Sequence, residues 1–221
     1  TFPSPGLPHL FEQAPRLLGL LSTAGLRNWT DYGIRNYAGH PERQEEFFRL
    51  DSADSRAVLQ RERHGTLFSD VERPLDLYLR ALWQDNEQLV PYSTLLETLR
   101  QPLPYFDPLG MRVPDVMDDD RGVSGLDRYR AVLAHMVGHR RWSTAQIADN
   151  WSPFQRMAVE FFEDSRIETL LCREFPGLRR IFLALHPRPL EDACDPETTS
   201  CLRHRLAMLS RALLDPDHGY V

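Results

Sequence analysis

His135 and His139 stand four residues apart in the run His135-Met136-Val137-Gly138-His139. On a helix that spacing puts both imidazoles on one face, where they can chelate a zinc ion. Glu160, Glu163 and Asp164 follow on the next predicted helix. A carboxylate from there would complete a three-ligand set, and Glu163 is the candidate chosen. This is the skeleton of a zinc peptidase with one departure. Such an enzyme keeps a glutamate directly after the first histidine, as the general base that activates the metal-bound water. Here that position is Met136, which cannot accept a proton. The same histidines also suit a structural role, packed or hydrogen-bonded near Glu163 and Asp164. The expectation is therefore no catalytic residue in this chain, with His135, His139 and Glu163 as the metal-ligand candidates.

Other chemistry is thinner. Glu160, Glu163, Asp164 and Glu168 lie along one helix, with Glu160, Asp164 and Glu168 on successive turns, where like charges repel unless paired. Arg140, Arg141 and Arg166 are the obvious partners. Paired carboxylates can do acid–base work, but no nucleophile accompanies them. Neither GxxxxGK[ST] nor GxGxxG occurs, so no P-loop for ATP is expected. Asp51-Ser52-Ala53-Asp54-Ser55 imitates a metal-dependent adhesion motif, but Ala53 replaces its serine and the flanks look helical. It is read as a helix cap. Arg56, Arg61, Glu62, Arg63 and His64 crowd together before Gly65. They are the candidate partner-binding residues, since arginines near a turn can pair bidentately with carboxylates. A solvated helix end is the plainer reading.

The elements that must hold these residues are mostly helices. Apolar spacing predicts short helices over Leu10 to Leu21, Leu26 to Tyr37, Pro41 to Leu50, and from a cap at Asp51 or Ser52 to Arg63. Gly65 to Val71 reads as a short extended piece or a turn. Pro74 is expected to start a buried helix through Trp83. Pro102, Pro104, Pro108 and Pro114 forbid a helix over 101–116, leaving a β-hairpin or ordered loop. Met117 to Ser124, with three consecutive aspartates, reads as a solvated connector. Helices follow over Leu126 to Arg141 and from Ser152 to about Arg173. The second opens with a capping box, Ser152-Pro153-Phe154-Gln155, and shows an apolar side including Phe154, Phe162, Ile167 and Leu171. A last helix spans roughly Thr199 to Leu214, after an acidic loop from Glu191 to Glu197. The fold class is thus mainly α, a multi-helix domain with a small insertion near 101–116. A degenerate zincin-like second half is what the histidine pair would imply. The chain reads as two segments, 1–64 and 65–221, or as one continuous domain.

Composition narrows the function. The 221 residues are 42% hydrophobic and 26% charged, with a formal net charge of -6. That balance argues against nucleic acid or an anionic membrane as partner, where a basic surface supplies most of the affinity. A local basic patch around Arg140 and Arg141 stays open. No apolar run reaches the ~20 residues of a spanning helix. The start does not read as a signal peptide, and the missing initiator Met suggests a piece of a longer protein. Cys172, Cys194 and Cys201 make no disulfide framework. Cys194 and Cys201 are close enough to pair without having to, and a reducing compartment is the simpler expectation.

Several blocks occur in order. Leu26-Arg27-Asn28-Trp29 is followed by Asp31-Tyr32-Gly33-Ile34, then by the unbroken run Asp54 to Phe68. Tyr129-Arg130-Ala131 leads to His139-Arg140-Arg141-Trp142-Ser143, then come Ala148-Asp149-Asn150, Ser152-Pro153 and Phe162 to Glu168. Together, over about residues 20–185, they resemble the amino-terminal region of the CbbO/NorD family. The resemblance implies a cytoplasmic bacterial adaptor for a hexameric AAA+ ATPase of the MoxR class. In the CbbO branch the motor is CbbQ and the client is inhibited Rubisco. In the NorD branch the motor is NorQ and the client is nitric oxide reductase. ATP and magnesium would sit on the motor, and a divalent metal only in the family's carboxy-terminal von Willebrand factor A domain, whose motif this chain lacks. No cofactor is expected in the chain itself.

Overall fold

The computed structural model describes residues 5–94, 103–194 and 201–220. It is mainly helical with a small sheet insertion and divides into two compact units, 1–65 and 66–221.

The first unit holds α1 (Leu7–Leu20), α2 (Thr23–Asn36), α3 (Pro41–Phe48) and α4 (Ala53–Glu62). Serines fix two of its helix starts. Ser22 accepts from the Gly25 amide and Ser52 from the Ser55 amide, each satisfying an amide with no partner inside the helix. The adhesion-like run at Asp51 is thus a cap, as its helical flanks indicate. The core is aromatic: Trp29 stacks on Phe47 at 4.9 Å and meets Phe48 edge-on. Trp29 Nε1 donates to the Ser55 carbonyl, and Ser55 Oγ donates to the Phe47 carbonyl. Both polar groups are therefore buried with partners.

The second unit holds β1 (Thr66–Leu67), α5 (Phe68–Trp83), β2 (Leu89–Tyr92), β3 (Tyr105–Asp107), β4 (Gly110–Pro114), β5 (Val116–Met117), α6 (Gly125–Trp142), α7 (Pro153–Glu174), α8 (Gly177–Leu185) and α9 (Cys201–Leu214). β1 pairs antiparallel with β5. β3 and β4 form the expected hairpin, with β2 parallel to β4 on its other side. β2 escaped the sequence reading because it is short and contains Pro91, which an edge strand tolerates. Residues 101 and 102 of the predicted insertion lie outside the described residues.

Three expectations need correction. Pro74 lies inside α5 rather than at its start. The helix begins six residues earlier because Phe68 is buried against Tyr129, and that contact outweighs one lost backbone bond. Leu77, on a helix expected to be buried, is 55% exposed. The connector is not merely solvated: Asp119 accepts from the Gly125 amide and Ser124 from the Asp127 amide, so both cap α6. In addition, α8 was not foreseen, and the predicted start of α9 at Thr199 lies outside the described residues. Cys194 and Cys201 form a disulfide. The cysteine count therefore no longer favours a reducing compartment. Cys172 is free and buried, and burial pushes its thiol up to about 11.

α6 is the central element. One side packs into a cluster with Phe68, Leu75, Leu79, Met111 and Val113, to which it contributes Tyr129, Leu133, Met136 and Val137. Its Ala131 and Ala134 pack into a second cluster with Ile167, Leu171, Leu178, Phe182 and Leu214. α6 is thus held between the sheet insertion with α5 and the α7–α9 group. α7 opens with the full capping box: Ser152 Oγ accepts from the Gln155 amide, and Gln155 Oε1 accepts from the Ser152 amide. Ser152→Ala should lower stability by about 1 kcal/mol in a urea titration. An unchanged midpoint would mean that the cap adds nothing. Only the later part of the predicted apolar side of α7 is buried. Ile167 and Leu171 are fully covered, whereas Phe154 and Phe162 are more than half exposed.

Candidate functional site

Gly138 sets the distance between the two helices that carry the site. A Cβ there would lie 2.6 Å from Ile167 Cγ2 and 3.2 Å from Leu171 Cδ1, so α7 crosses α6 where a side chain is missing. One residue on, His139 meets α7. His135 Nε2 and His139 Nε2 are 2.9 Å apart. Asp164 Oδ1 lies 3.0 Å from His139 Nε2 and 3.5 Å from His135 Nε2. These three ligand atoms form the group able to hold a metal ion among the described residues.

The third member is Asp164 rather than Glu163. Neighbours on a helix point about 100° apart, and the crossing at Gly138 turns Asp164 towards the histidines. Glu163 is engaged elsewhere: Arg166 donates to both of its oxygens and Ser143 Oγ to Oε1. Arg166 first, and Ser143 after it, hold the Glu163 carboxyl down to about 2.

The outer ring nitrogens are also occupied. His139 Nδ1 is 2.9 Å from Ser143 Oγ. Because the Ser143 hydroxyl proton goes to Glu163, Ser143 can only accept from His139, and the Nδ1 of His139 carries the proton. His135 Nδ1 faces Glu168 Oε1 at 3.6 Å. The other oxygen of Glu168 is 2.7 Å from His186 Nε2, and His186 Nδ1 is 2.9 Å from Ser210 Oγ. His186, Ser143 and Ser210 were missed by sequence reasoning. They come from the end of α8, the end of α6 and α9, and no local spacing announces them.

Two of the expected arginine partners go elsewhere. Arg140 pairs with Asp85 and Glu87, and Arg141 with Glu174. The local basic patch is thereby largely neutralised. Asp164 and Glu168 face histidines instead. Met136 is 6% exposed and packs in the α5–sheet cluster, so position 136 turns away from the site. Of the candidate partner residues, Arg56, Arg61 and His64 are exposed. Glu62 is tied to Arg61 at 3.1 Å and to Asn28 at 2.8 Å. Arg63 is half-buried, bridged through its backbone to Leu21.

Electrostatics couple the cluster to stability. Burial opposes charge on His135, but the hydrogen bonds and charges of Asp164 and Glu168 outweigh it and raise the ring to about 9. Burial likewise opposes charge on Asp164 and Glu168. Bonds from His135 and His139 to Asp164, and from His135 and His186 to Glu168, nevertheless hold both carboxyls low. A raised histidine contributes fully below its unfolded value near 6.5 and loses that contribution as pH rises through about 9. The depressed carboxylates contribute above about 4 and lose it in acid. Chelator-treated protein should therefore lose up to about 3 kcal/mol between pH 6.5 and 9.5 from this cluster. Thermal melts across that range should show the slope, and His135→Gln should flatten it. An equal slope in both proteins would refute the coupling.

Compared with protein-family models, curated proteins and solved structures, the chain matches none. Among the described residues, no helix is long and apolar enough to cross a membrane.

Proposed function

We propose that this chain is a non-catalytic adaptor domain that couples a MoxR-class AAA+ ATPase hexamer of the CbbQ/NorQ type to its client. The observation that carries this reading is the order of the CbbO/NorD-like blocks from Leu26 to Glu168. Met136 supports its non-catalytic half, because the position of a peptidase base is filled by a thioether packed into the core. The client is Rubisco, inhibited and awaiting remodelling, with nitric oxide reductase as the alternative that the same blocks allow. ATP and magnesium belong to the motor. The cytoplasmic setting rests on the resemblance alone.

Arg56, Arg61, Glu62, Arg63 and His64 are the proposed contact to the motor, with Arg56, Arg61 and His64 exposed on or just after α4. Arginine is favoured at interface hot spots, where truncation often costs ~2 kcal/mol or more. Arg61→Glu with Arg63→Glu should cut co-purification with the hexamer while the helical circular-dichroism signal stays intact. Undiminished capture by a folded double variant would remove this surface from the interface. Loss of the fold would instead make the arginines internal partners, in keeping with half-buried Arg63.

A further inference from the structure

We propose that His135 Nε2, His139 Nε2 and Asp164 Oδ1 bind one divalent transition-metal ion of the zinc class, pinning α6 to α7. The inference is independent of the adaptor reading and departs from the expectation that the chain carries no metal of its own.

The first support is geometric. In a tetrahedral site with bonds of ~2.0–2.1 Å, ligand atoms lie ~3.3 Å apart. The three separations here are 2.9, 3.0 and 3.5 Å. The donor set, two imidazoles and a carboxylate, is one that zinc takes.

The second support is the direction of the lone pairs. The Ser143 hydroxyl is committed to Glu163, so Nδ1 of His139 donates to Ser143 and Nε2 is the ring nitrogen that faces inward. Nδ1 of His135 faces the carboxylate of Glu168, which also turns its Nε2 inward. When a cation displaces the protons on these nitrogens, two imidazole lone pairs and a carboxylate oxygen converge on one point. Acceptors so arranged repel unless protons or a cation lie between them. Metal-bound histidines characteristically give their other ring nitrogen to a carboxylate or another acceptor, which fixes the tautomer and orients the ring. His139 does so through Ser143 to Glu163, and Nδ1 of His135 faces Glu168 Oε1 at 3.6 Å.

The third support is placement. The His135 and His139 side chains are 27% and 30% exposed and that of Asp164 is 51% exposed. An ion can therefore enter from solvent, and a water can take the fourth position. Met136 supplies no base beside such a water, so the role is to tie the helices together.

The test uses the full chain, stripped with a chelator and titrated with zinc against a chromophoric competitor, with thermal melts in parallel. The expected result is one zinc per chain and a raised melting temperature. Cobalt(II) should give the intense visible absorption of a tetrahedral site. Asp164→Asn and His139→Gln should each weaken zinc by more than about 100-fold. Glu168→Gln, one shell out, should weaken it by about 10- to 100-fold, and exposed Glu160→Gln should change nothing. Circular dichroism of each variant confirms its fold. If a variant does not fold, the wild-type stoichiometry and the cobalt spectrum decide. Far less than one zinc per wild-type chain, or equal affinity in a folded Asp164→Asn variant, would overturn the proposal and leave a hydrogen-bonded ion-pair cluster only.

Discussion

Replacing Met136 by glutamate should strongly destabilise the second unit and should not create a peptidase. By motif alone, Met136→Glu would supply the glutamate that a zinc peptidase keeps after its first histidine. The fold gives the opposite outcome. Met136 is 6% exposed and packs with Phe68, Leu75 and Leu79. A carboxylate placed there loses its hydration without gaining a partner and is driven towards its neutral form. The expected loss is about 3–5 kcal/mol, in the range of the most damaging core substitutions. Chemical denaturation measures it, and a fluorogenic peptide assay with added zinc measures activity. A stable variant that cleaves peptide would show that position 136 faces the histidines after all.

Gly138→Ala should be destabilising, against the usual trend. In a helix interior, alanine is better than glycine by about 1 kcal/mol. Here the new methyl would lie 2.6 Å from Ile167 Cγ2, inside van der Waals contact and in a closely packed crossing. Overpacking of this kind costs about 1–3 kcal/mol, so after the propensity gain the net effect should be a loss of up to about 2 kcal/mol. Pairing the change with Ile167→Val should show coupling rather than simple addition, because the smaller neighbour makes room. A gain in stability from Gly138→Ala alone would mean that the crossing is looser than it looks, and the convergence of Asp164 on the histidines would lose its mechanical basis.

The parts of the site visible in the sequence are those set by one helix. The spacing of His135 and His139 needs only the 3.6-residue period, and the start of α7 needs only the local chemistry of Ser152 and Gln155. The choice between Glu163 and Asp164 depends on the rotation of α7 against α6. That rotation is fixed by Gly138, Ile167 and Leu171, on two helices at once. Glu168 could be seen, but not that His186 would meet it, since α8 itself went unrecognised. Phe154 and Phe162 show what spacing alone leaves open: the apolar side runs along α7, but only the stretch crossing α6 is covered.

The central claim is that the chain acts by binding a motor rather than by chemistry. Its most direct test is to mix the chain with a purified MoxR-class hexamer of the CbbQ type in the presence of a slowly hydrolysed ATP analogue. Size-exclusion chromatography with light scattering then gives the mass of any complex. The expected result is co-elution at a mass above that of the hexamer, with the free-chain peak depleted. A folded chain that elutes entirely apart from CbbQ-type and NorQ-type hexamers alike would contradict the claim.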